Sequence, residues 1–225
     1  SGEAAGVTDK RGDLIGAAVD LPKWVIDDLA RVTPPKRVSA ALEALGEASV
    51  AFVDAQFHKS VKMAERAKQL APRDATVREI LGLGAYRLGN WSVALTELRA
   101  YRRLSGDLVH VAVELDILRA LERPDDVASL WEEFKRWDAR PVVYKEALVV
   151  FASFLIDQGD LDSAASLVLP ARLKNDPFPE DLKVAYVGAR VAALQGDTAT
   201  AREVRDDVLL ADPAFPGIEA LDRLL

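Results

Sequence analysis

The chain has 225 residues, half of them apolar and 29% charged, which supports a buried core and excludes a disordered composition. A formal net charge of −7 is repelled by phosphate backbones, so no nucleic-acid partner is expected. There is no cysteine, which excludes disulfides, thiolate metal sites and cysteine nucleophiles.

Residues 1–18 are small, polar and charged and read as a loose segment. They contain Arg11-Gly12-Asp13, a three-residue adhesion match that carries no weight. No apolar run of signal-peptide type occurs there. The longest apolar stretch, near Ala147–Ile156, is too short to span a bilayer. No membrane association is expected, and a cytoplasmic location is. A helix begins at Leu21-Pro22-Lys23-Trp24, with Trp24, Ile26, Leu29 and Val32 as its apolar content. Pro34-Pro35 breaks it. A second helix starts near Arg37, and together the two read as a degenerate hairpin over about 19–55, covering the end of a stack.

Further along, Val77, Leu81, Ala85 and Leu88 fall on one helical face, followed by Trp91, Ala94, Leu95, Leu98 and Tyr101 on another. Gly89 suits the left-handed position that ends the first helix, and Asn90 can cap the next. The pattern returns at Gly159-Asp160 leading to Ala164 and at Gly196-Asp197 leading to Ala201. Weaker copies run from Glu122 to Val127 and from Ala55 to Ser60. The small-residue anchors Ser60, Ala94, Val127, Ala164 and Ala201 are therefore 34, 33, 37 and 37 residues apart. Pro72, Pro177 and Pro213 read as closing their helices. Phe215-Pro216-Gly217 is a turn, and Ile218, Leu221 and Leu225 form a short capping helix over 216–225.

A period near 34 with Leu81-Gly82, Tyr86, Gly89-x-Trp91, Ala94 and a closing proline resembles the tetratricopeptide repeat. The layout is also similar to tetratricopeptide proteins of high-GC actinobacteria. Copies lie at about 41–74, 75–107, 108–140, 145–181 and 182–215, in a single domain over 19–225. The resemblance implies an all-α fold of antiparallel hairpins stacked in a right-handed superhelix. It also implies a concave groove lined by the first helix of each repeat. At the groove positions stand Glu79, Leu83, Tyr86 and Arg87, then Ala112, Asp116 and Arg119. Val149, Ser153 and Ile156 follow, then Tyr186, Arg190 and Ala193. This mixed surface suits a peptide or protein segment. Some relatives hold a C-terminal carboxylate with Lys and Asn from adjacent first helices. Glu79, Leu83, Ala112 and Asp116 stand there instead, so no such clamp is expected.

Catalytic patterns are lacking. His58 and His110 have no metal-ligand spacing, and no G-x-S-x-G motif occurs. The pairs Asp27-Asp28, Asp125-Asp126 and Asp206-Asp207 diverge by about 100° on a helix and do not converge on a metal. Gly82, Gly84 and Gly89 fit close helix packing and a helix stop better than a nucleotide loop. Arg99, Arg102 and Arg103 read as a solvated face. The expectation is a non-enzymatic interaction scaffold with no cofactor and no metal. Two alternatives stand beside it. One is a self-associating module, a homodimer paired through Leu42, Leu45, Phe52 and Val53 or through the final helix. The other is a regulatory domain acting with a separate enzyme or transcription factor.

Overall fold

The computed structural model describes residues 21–169 and 173–225, and twelve helices and no strand lie among them. The loose reading of 1–18 falls outside the described residues. The chain divides into two compact units, with the boundary between Asp107 and Leu108.

The first unit holds α1 (Lys23–Val32), α2 (Pro35–Val53), α3 (Phe57–Leu70), α4 (Ala75–Arg87) and α5 (Trp91–Ser105). Proline fixes the first turn of α2, where a missing N–H costs nothing. Val25 and Leu29, four residues apart, turn the buried face of α1 toward α2. Trp24 and Val32, also apolar, lie outside that face and are exposed. Leu42 and Leu45 belong to the core with Ala67, Ala71 and Val77. They are therefore unavailable to a second copy, and only Val53 of the expected pairing face is strongly exposed.

The second unit holds α6 (Val111–Ala120), α7 (Pro124–Phe134), α8 (Pro141–Asp157), α9 (Leu161–Val168), α10 (Pro179–Leu194), α11 (Thr198–Ala211) and α12 (Ile218–Asp222). Where alanines meet, as between α10 and α11, the helices approach closely. Between α7 and α8 the contact is aromatic instead. Trp131 stacks on Phe151 at 4.6 Å between ring centroids, and Phe134 on Tyr144 at 6.0 Å. Leu221, Ile218 and Leu225 pack against the cluster that contains α10.

Five turns in the described chain share one geometry. Ala55, Gly89, Glu122, Gly159 and Gly196 all have positive φ, between 54° and 83°. At each, the next residue's N–H donates to the carbonyl five residues back, and its own N–H donates to the carbonyl three back. These two bonds satisfy the last carbonyls of the preceding helix. The residue five positions after each turn residue is an anchor, and all five anchors have no exposed surface. Ser60 is polar, and its hydroxyl donates to the carbonyl of Ala48 at 2.9 Å.

Two local expectations fail. Pro177 closes no helix, because α9 stops at Val168 and Pro177 precedes α10. Asn90 occupies the N-cap position, yet its side chain makes no capping bond. Asp160 and Asp197, its counterparts, do cap, accepting from the N–H groups of Ser163 and Thr200.

Candidate functional site

Counting back from each left-handed turn residue places the expected groove residues in three registers of the first helices. Ten residues back stand Glu79, Ala112, Val149 and Tyr186. Six back stand Leu83, Asp116, Ser153 and Arg190, and three back Tyr86, Arg119, Ile156 and Ala193. All of these are half-buried except Ala193, which is buried. Arg87 is exposed. Within each unit the first helices thus present positions, a strip, that their own hairpins leave partly open.

In the first unit, much of this strip is engaged locally. The Tyr86 ring meets Trp91 edge-on at 5.6 Å. The Arg87 guanidinium lies 4.5 Å from the centroid of the Phe57 ring, a cation–π contact between α4 and α3. Leu83 is half-buried. Glu79 lines a cleft of about 390 Å³ with Trp24, Arg31, Thr76, Tyr101 and Leu104.

A buried carboxylate off the strip is also engaged in this unit. Glu97 on α5 is 2% exposed. It accepts from Lys68 of α3 and from Arg78 of α4, both at 2.6 Å. Arg78 also donates to the carbonyl of Pro72. The signal was available, since Glu97 follows the Ala94 anchor by three residues and so shares its face. At the start of α4, Asp74 accepts from the Val77 N–H at 2.8 Å. Burial pushes its carboxyl above the usual range, and the nearby Asp28 charge adds to this, against the lowering effect of the backbone bonds.

In the second unit, α6, α8 and α10 pack side by side, each first helix on the next. Lys145 pairs with Asp181 at 2.6 Å, and Lys183 with Glu146 at 3.4 Å, at the start of α8 and α10. The Lys145 bond holds the Asp181 carboxyl below its usual range. At the far end Arg119 bridges Asp116 at 3.1 Å and Asp157 at 2.5 Å. Between these belts lie Val149, Ser153, Tyr186 and Arg190. The Ser153 hydroxyl donates to the Val149 carbonyl. The Tyr186 hydroxyl donates to the carbonyl of Gly217 at 3.0 Å, and its ring meets Phe215. Tyr186 therefore anchors the final turn as well as facing the strip.

Among the described residues, no group of three or more His, Asp or Glu side chains is placed to hold a metal ion. No described helix is long and apolar enough to cross a membrane. No family model matches the chain, and no curated protein is significantly similar to it.

Proposed function

We propose that the protein is a non-enzymatic interaction scaffold of tetratricopeptide type, working in the cytoplasm. Its hairpins stack in a right-handed superhelix, and a peptide or protein segment lies along the first helices. The observation that carries this reading is the shared register of four turns, at Gly89, Glu122, Gly159 and Gly196, which leaves the same helical positions partly open in successive hairpins. A single hairpin cannot bury its apolar face alone, and stacked hairpins leave a continuous surface with aromatic, aliphatic and charged groups.

The absence of cysteine makes the test direct. A photoreactive maleimide is attached at Ser153→Cys on the strip or at Glu203→Cys on the exposed side of α11. A cross-linked partner from the native cell at the first position alone supports the strip as the binding face. Cross-linking at the second position alone sinks it.

A further inference from the structure

We infer that the strip of the second unit takes an acidic peptide segment, with an Asp or Glu side chain of the guest seated on Arg190. This rests on the scaffold reading and names the chemistry of its partner.

The argument starts from charge. Six of the seven other ionised groups around the strip answer one another in pairs across adjacent helices: Lys145 with Asp181, Lys183 with Glu146, and Arg119 with Asp157. The seventh, Asp116, is held by Arg119 as well. Arg190 is different. It is half-buried and makes no ion pair or side-chain hydrogen bond among the described residues. A guanidinium partly withdrawn from water, with no carboxylate beside it, has lost hydration without compensation. A carboxylate presented by a guest restores it through two parallel N–H···O bonds.

The surroundings fit a peptide better than a bare ion. Arg190 stands six residues before its turn, the register of Ser153 on the neighbouring helix. One register away lie Val149 and Tyr186, which offer aliphatic and aromatic contact. The Ser153 hydroxyl proton is committed to the Val149 carbonyl, so its oxygen is left to accept a guest N–H. A basic guest would meet the uncompensated Arg190 charge.

The test is panning of a random heptapeptide display library on the full chain, wild type against Arg190→Glu, with both checked by thermal melting. Wild type is expected to select peptides with Asp or Glu at a fixed position. Arg190→Glu is expected to select Lys or Arg there. A synthetic winner with its acid changed to Gln should bind wild type at least about tenfold more weakly, and Arg190→Lys should bind the original winner at an intermediate level. Identical selections by wild type and Arg190→Glu overturn the inference. Val149→Arg separates the two readings. If it abolishes binding while Arg190→Glu does not, the strip remains the site and only the acidic guest is wrong. If neither variant affects binding, or wild type selects nothing, both readings fall.

Discussion

Ala55 and Glu122 hold a backbone conformation that glycine adopts freely and other residues adopt at a cost of about 1–2 kcal/mol. The three equivalent turns use glycine. Ala55→Gly and Glu122→Gly are each expected to stabilise the protein by roughly 0.5–1 kcal/mol, once the greater unfolded-state freedom of glycine is subtracted. Gly159→Ala is the converse: nothing lies within 4 Å of the added carbon. Its cost of about 1 kcal/mol is purely conformational. Denaturant midpoints measure all three. Asp74 gives a pH dependence with a definite sign. Its folded carboxyl titrates above the unfolded value of 3.8. The folded state therefore binds its proton more readily, and this group's contribution to stability falls as pH rises through the window above 3.8. Asparagine caps a helix equally well without the buried charge. Asp74→Asn should melt above wild type at pH 7, with the gap closing toward pH 4. A gap that widens on acidification would contradict this account. Asp181 acts oppositely. Its depressed value gives stability that is present above the unfolded value and is lost as pH falls through the folded one.

Helices in this protein are fixed by their ends and by the volume of the side chains between them. The left-handed turn and its anchor were legible because both leave marks at a constant offset, even where Ala55 and Glu122 replace glycine. The end of α9 was not legible. Pro177 looks like a helix stop, but a proline also fits an extended segment leading into a helix, and its own position cannot distinguish these. The strip positions were legible by register, whereas their local engagements were not. Arg87 on Phe57, or Tyr186 on Gly217, depends on residues far apart in sequence. The ion cluster joining α3, α4 and α5 is the strongest test at this scale. Glu97→Ala leaves Lys68 and Arg78 without their carboxylate and opens space under α5. Removing one member of a buried ion pair costs about 3–5 kcal/mol. The partial exposure of Lys68 reduces this to about 2–3 kcal/mol. Urea unfolding should show it, and Lys68→Met should cost much less.

At the scale of the whole molecule, the sequence period runs through Asp107 without a break, so the division into two units left no mark in it. The division is a property of how densely residues pack, and Gly106-Asp107 reads like any other turn between helices. Each unit carries its own buried cluster, around Leu29 and Leu45 in the first and around Ala189 and Leu221 in the second. A fragment of residues 108–225 is therefore expected to keep its helical circular dichroism and to melt in a single cooperative transition. A fragment without a melting transition would show that its core is insufficient alone.

Within each unit, helices pack against the next helix or the next but one along the chain. Such short sequence separations mean low contact order, and helical proteins of that kind fold in microseconds to milliseconds. A ribosome adds roughly 5–20 residues each second. Residues 21–107 have thus left the tunnel and met their partners within the unit on the order of ten seconds before residue 225 is joined. Assembly during synthesis keeps pace with the growing chain, and the first unit never waits for the second.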